Sequence, residues 1–175
     1  MSPELKRKLR RCGICAVIAV AIYWLGPPLV MRSWQIGWHV AHRNQLRLSR
    51  NVYIVPLRWF VEMPSSSDAL LVDAPLSVAR VTTISISESA PKRQVVLDSL
   101  LAANQQMFVK DGELHGVRRL RTEAEEVACL EGTLRALPGF YLVTCYGSSG
   151  MYSFFAGDPA RVGAYYTVIA SARPI

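Results

Sequence analysis

The hydrophobic pattern divides the chain into a continuous apolar run near its start and, further on, two alternating kinds of periodicity. From Cys12 to Met31 no charged residue occurs, and Ile14 to Leu25 holds no polar group besides the Tyr23 hydroxyl and the Trp24 indole N–H. About 20 apolar residues is the length a helix needs to cross a bilayer, and tyrosine and tryptophan favour the headgroup interface. The run is therefore expected to be an uncleaved transmembrane anchor. A cleavable secretory signal is the rival reading, but Trp24-Leu25-Gly26-Pro27-Pro28-Leu29 follows where a small-x-small site is required. A lipoprotein signal needs a cysteine after the apolar run, whereas Cys12 and Cys15 stand at its front. Pro27 and Pro28 remove backbone donors and predict a kink or restart.

Beyond the prolines, Trp34, Trp38 and Ala41 recur at helical spacing, with Ile36 and Val40 nearby and Arg43, Arg47 and Arg50 after them. This predicts a helical stem from Leu29 to Leu48, with Trp34 and Trp38 as interface anchors beside Tyr23 and Trp24. A spacer is preferred over a partner-binding helix for this stem.

From Asn51 the period changes. Val52–Val55, Trp59–Glu62, Ala69–Val72 and, most clearly, Ser77–Ser87 read as strands; in the last, Val78, Arg80, Thr82, Ile84 and Ile86 alternate with Val81, Thr83 and Ser85. After Pro91 a helix is predicted, with Val95, Leu97, Leu100, Leu101, Asn104, Met107 and Phe108 on one face and Asp111-Gly112 closing it. Strands Glu113–Arg121, Val127–Leu134, Phe140–Tyr146 and Met151–Ala156 follow. Asp158-Pro159 then supplies a capping side chain with proline at the first helical position, ahead of the apolar face Val162, Tyr165, Tyr166, Ile169 and Ala172. The predicted class is α+β: a single N-terminal transmembrane helix, then one domain whose largely antiparallel sheet packs against helices. The divisions are residues 1–11, a basic cytoplasmic tail; 12–31, the anchor; 32–50, the helical stem; and 51–175, the domain, long enough for one core.

The net charge of +7 changes meaning once it is divided along the chain. Residues 1–50 hold nine basic side chains and one acidic, and residues 51–175 hold eleven basic and twelve acidic. The excess belongs to the anchor and its flanks, where it meets anionic lipid, and nucleic acid is not an expected partner. Lys6, Arg7, Lys8, Arg10 and Arg11 before the span face Arg32, Arg43, Arg47 and Arg50 after it. The denser front set places the amino terminus inside and the domain outside.

The order of strands, long helix, three-strand meander and closing Phe154-Phe155-Ala156-Gly157-Asp158-Pro159 into a last helix resembles the αβα sandwich of the PsbP and Mog1 group. The resemblance spans roughly Val52 to Ile175. It implies a binding or assembly module, and no functional residue of that group can be matched here.

Cysteine placement gives the sharpest local expectation. A hairpin centred on Leu137, at Pro138-Gly139, pairs positions summing to 274, which sets Cys129 opposite Cys145. Directly opposed cysteines in a non-hydrogen-bonded pair are close enough to bridge, and a disulfide suits an extracytoplasmic domain. The alternative is two small buried thiols in a reduced protein. Cys12 and Cys15 form a CxxC at the mouth of an apolar segment, which favours helix packing over redox or metal chemistry. His39 and His42 lack nearby Asp, Glu or Cys co-ligands, and His115 stands alone. Gly147-Ser148-Ser149-Gly150 has Met151 in place of the last glycine of a nucleophile elbow and reads as a tight turn. Glu123, Glu125 and Glu126, and Asp111 with Glu113, read as solvated charge clusters.

The expected function is a non-catalytic binding or assembly module in a bacterial envelope complex, anchored once in the cytoplasmic membrane with its C-terminal domain in the periplasm. Its expected partners are membrane lipid and other membrane or envelope proteins; no metal or cofactor is expected. Tyr152, Phe154, Phe155, Tyr165 and Tyr166 form an aromatic reserve for contact or core. The alternative is a membrane-tethered enzyme or ligand-binding protein. A deep pocket lined by Glu or His favours that alternative, and an exposed apolar face or unpaired strand favours the module.

Overall fold

Ten strands and three helices account for the regular structure of the described residues, which in this computed structural model are 30–62, 65–73, 77–83 and 90–175. The tail charges Lys6, Arg7, Lys8, Arg10 and Arg11, the anchor residues Tyr23 and Trp24, and Cys12 and Cys15 all lie outside them, as does the end of the predicted Ser77–Ser87 strand. Among the described residues, no helix is long and apolar enough to cross a membrane.

The first described helix, α1, covers residues 30–42. It stops six residues short of the expected stem end at Leu48, because Arg43 (φ 52°) and Asn44 (φ 61°) turn left-handed. The Asn44 N–H closes the turn onto the His39 carbonyl. Strand β1 (Gln45–Leu48) follows at once and pairs antiparallel with β2 (Asn51–Ile54). Leu46 and Leu48 face the core while Gln45 and Arg47 face outward. The expected stem is thus part helix and part sheet.

Strands β3 (Phe60–Glu62), β4 (Asp68–Asp73) and β5 (Ser77–Thr83) enter the main sheet. Helix α2 (Ala90–Asp111) then leads to the meander β6 (Gly112–Arg121), β7 (Glu126–Leu134), β8 (Tyr141–Gly147) and β9 (Met151–Gly157). Pro159–Arg161 makes a 3-10 turn before α3 (Val162–Ala170), and β10 (Arg173–Pro174) ends the order. The main sheet is antiparallel throughout in the order β3-β4-β5-β9-β8-β7-β6, and the small sheet is β1-β2-β10. The Asp158 carboxylate accepts the Ala160 N–H at 2.9 Å, the cap expected of Asp158-Pro159.

Strand register sorts the side chains into two layers. Ala69, Val81, Ser153, Cys145 and Cys129 form one row, and Val61, Leu71, Ala79, Phe155 and Val143 the next. These rows are buried under α1, α3 and the small sheet, together with Trp59, Tyr53, Val168 and Ile169. Alternate residues face the other way, where α2 packs across β6, β7 and β8. Phe108, fully buried, sits on Gly132, and a Cβ there would meet its ring at 2.6 Å. Helices thus cover an antiparallel sheet on two sides.

The Cys129–Cys145 disulfide forms in the predicted register, with Cα atoms 4.0 Å apart and both residues inaccessible. Trp38 lies in the core, 9 % exposed, and stacks on His42 at 4.7 Å. Trp34, one turn earlier, is exposed. Val95 is also exposed, whereas Leu100, Leu101, Asn104 and Met107 are half-buried and Phe108 is buried.

Candidate functional site

Three buried or half-buried carboxylates organise the polar groups, and each is already committed to structure. Glu131 on β7 accepts hydrogen bonds from the Tyr141 hydroxyl at 2.8 Å and the Tyr166 hydroxyl, and pairs with Arg118 Nε at 3.2 Å. Arg118 also lies over the Tyr166 ring, 4.7 Å from its centroid, and His115 stacks on Tyr141. Burial, then the bond to Glu131, pushes the Tyr141 hydroxyl up to about 12, and the same causes raise Tyr166. Phenols held this firmly protonated are poor bases. The cluster ties β6, β7, β8 and α3 together.

Glu125 corrects the reading of Glu123, Glu125 and Glu126 as one solvated cluster. Thr122 Oγ1 accepts the N–H groups of Ala124 and Glu125, folding the β6–β7 loop so that the Glu125 carboxylate reaches the β8–β9 turn. There it accepts from Ser148 Oγ at 3.1 Å, the Ser149 N–H at 2.5 Å and the Ser149 hydroxyl. The serines of Gly147-Ser148-Ser149-Gly150 therefore serve a turn, with Gly150 at φ 93°. Glu126 pairs at the surface with Arg119 at 3.0 Å. Asp73, nearly buried, holds Arg58 at 2.8 Å and lies 3.7 Å from Arg161, joining β4 to the β2–β3 loop and the approach to α3.

The histidines do not converge. His39 is buried; its Nε2–H donates to the Trp59 carbonyl at 2.8 Å and its Nδ1 meets the Asn44 side chain at 3.0 Å. His42 is exposed, and its Nδ1–H donates to the Trp38 carbonyl at 2.9 Å. Among the described residues no group of three His, Cys, Asp or Glu side chains could hold a metal ion.

What remains open is a surface. On the side that α2 only partly covers, three register rows cross β4, β5 and β9: Leu70–Arg80–Phe154, Val72–Val78–Ala156 and Asp68–Thr82–Tyr152. All but exposed Arg80 are half-buried, so aliphatic and aromatic edges reach solvent across three central strands. Arg80 grips Asp68 through Nε, at 3.0 and 3.2 Å, and Nη2, at 2.7 Å, and Thr82 Oγ1 donates to the same carboxylate at 2.6 Å. The bonds from Arg80 hold the Asp68 carboxyl below its usual range. Of the expected aromatic reserve, Phe155, Tyr165 and Tyr166 are core residues, whereas Tyr152 and Phe154 belong to this surface. Period two in β9 separates them, since Phe154 and Phe155 necessarily point to opposite faces. The hubs Glu131, Glu125 and Asp73 had no sequence signal: each gathers partners from other segments.

No family model and no curated protein matches the chain. Among solved structures, it is similar to the solution structure of cyanobacterial PsbP (CyanoP) from Synechocystis sp. PCC 6803, with a TM-score of 0.38 and 12 % identity over 73 % of this chain and 88 % of that one. This is a weak structural resemblance to the PsbP fold.

Proposed function

We propose that the protein is a single-pass membrane-anchored binding or assembly module, non-catalytic, whose domain works in the periplasm of a bacterial envelope. The observation that carries the reading is the partly open sheet face of Leu70, Val72, Val78, Tyr152 and Phe154 around the Arg80–Asp68 pair. Apolar surface at the middle of a sheet gains by being covered, and a fixed ion pair within it gives a partner a charged register. The buried Cys129–Cys145 bond supports an oxidising compartment. The uncharged Cys12–Met31 run supports the anchor. Tethering raises the effective concentration toward partners in the same membrane, so modest contacts suffice. Mild detergent extraction of the intact protein is expected to recover it in a complex larger than the protomer. Recovery only as a lone protomer, with other envelope complexes intact in the same extract, counts against the reading.

A further inference from the structure

Helix α1 carries its apolar residues on the side opposite to the one a surface helix normally presents inward. At 100° per residue, Gln35, Trp38 and His39 define the side turned to the domain: Trp38 and His39 are buried, and Gln35 Nε2 donates to the Leu57 carbonyl. The outward arc is Val30, Ser33, Trp34, Ile36, Gly37, Val40 and Ala41, without a charge. Val30 is 68 % exposed, Trp34 65 %, Ile36 62 % and Val40 75 %. A free aqueous helix inverts this arrangement.

Charge tells what covers the arc. Residues 30–50 contain four arginines and no acidic side chain. Arg43 and Arg47 line a cavity of about 460 Å³ with His42 and Gln45 at the end of α1. None of Arg32, Arg43, Arg47 and Arg50 enters an ion pair among the described residues. An apolar face bordered by unpaired arginines is the pattern of a helix lying in a membrane interface, its cations at lipid phosphates. The uncharged run also ends at Met31, inside α1, so the face begins where the apolar run stops. Pro27 and Pro28 precede it, a pair that permits the chain to change direction.

We propose that α1 lies in the plane of the bilayer interface, with Val30, Trp34, Ile36 and Val40 sunk among the lipids and Arg43 and Arg47 at anionic headgroups. The domain is thereby held flat on the membrane. This rests on the anchored reading but differs from an upright stem. Val40 is ten residues beyond Val30, which for an upright helix lifts it about 15 Å, beyond a headgroup layer roughly 5–8 Å thick.

The test uses the full chain with Cys12→Ser, Cys15→Ser and Val40→Cys, spin-labelled without reductant and reconstituted in phosphatidylcholine–phosphatidylglycerol vesicles. The label at position 40 is expected to collide with lipid-dissolved oxygen several-fold more than with an aqueous nickel chelate. Nickel accessibility equal to that of a label at exposed Gln105 on α2 overturns the proposal. Arg43→Glu with Arg47→Glu is expected to move the label toward water, as are vesicles of phosphatidylcholine alone; an unchanged label in both overturns the role given to the arginines. A carbonate wash separates the two readings. Protein retained with a nickel-accessible label defeats the in-plane helix and leaves the anchor, and protein washed off with an oxygen-accessible label does the reverse.

Discussion

Removing the Cys129–Cys145 bond should cost the domain about 3 kcal/mol. The bridge joins positions 16 residues apart, and a closed loop of that size removes roughly 10 cal/mol/K of chain entropy from the unfolded ensemble, about 3 kcal/mol at 25 °C. That is on the order of a 100-fold change in the unfolding equilibrium, and a fall in melting temperature of roughly 10 °C for a domain of this size. Both cysteines are inaccessible and face the core between Ser153 and the edge strand β6. A reductant therefore reaches the bond only when the β7–β8 ladder opens. Guanidinium unfolding of the intact protein in detergent, oxidised and reduced, measures the first effect. The rate of thiol release with rising sub-denaturing guanidinium measures the second, and should climb steeply. Cys129→Ala with Cys145→Ala is expected to lose at least as much as reduction, because it also leaves space in the core. A loss below about 1 kcal/mol, or thiol release independent of denaturant, refutes the loop-entropy and burial argument together.

Alkaline pH should unfold the domain in a defined window. Tyr53, Tyr141 and Tyr146 are each raised to about 12, chiefly by burial, from the usual 10.0. Groups raised in the fold stabilise it fully below the unfolded value and lose that contribution as pH rises, so stability is flat to about pH 9 and falls between 10 and 12. Tyrosinate absorbance and circular dichroism should change together there; complete tyrosine titration near 10 with the fold intact contradicts this. Gly147→Ala should expel the Glu125 carboxylate, whose carbon would lie 2.5 Å from the new Cβ. Gly132→Ala should press on the Glu113 carbonyl of β6 and on the Phe108 ring of α2, the latter at 2.6 Å, and each should cost about 1–3 kcal/mol by overpacking, read by denaturant midpoint. Equal stability to wild type would contradict the contacts. A periplasm-dependent reporter fused after Ile175 should be active, and activity only from a cytoplasmic reporter overturns the orientation.

Much of the fold was legible because the strands obey period two and are punctuated by turns. Register at Pro138-Gly139 sufficed to pair Cys129 with Cys145, since a hairpin's turn fixes every opposite pair. The failures have physical causes. Strand β1 reads from sequence as part of a helical stem because Leu46 and Leu48 alternate over only four residues, and the left-handed Arg43–Asn44 turn carries no glycine to mark it. Strand β10 spans two residues, too few for any period. The inward side of α1 is hard to read from sequence because the helix is amphipathic in the reverse sense: its polar Gln35 and His39 accompany Trp38 inward while Val40 faces out. In the candidate surface, the alternation of β9 showed that Phe154 and Phe155 part company, but which of them was buried depends on α2 covering β6 to β8 and leaving β9 and β5 partly open. Glu125 reads as solvated from sequence because its serine partners lie 23 and 24 residues away.

The docking role of the open sheet face is tested most directly by placing a photocrosslinking side chain at Phe154, and separately at Gln105 on α2, in cells with intact membranes. Phe154 is expected to capture a discrete envelope protein, identified by mass spectrometry, and Arg80→Glu should abolish that adduct without changing the protein's abundance. Equal or absent protein adducts at the two positions would contradict the account.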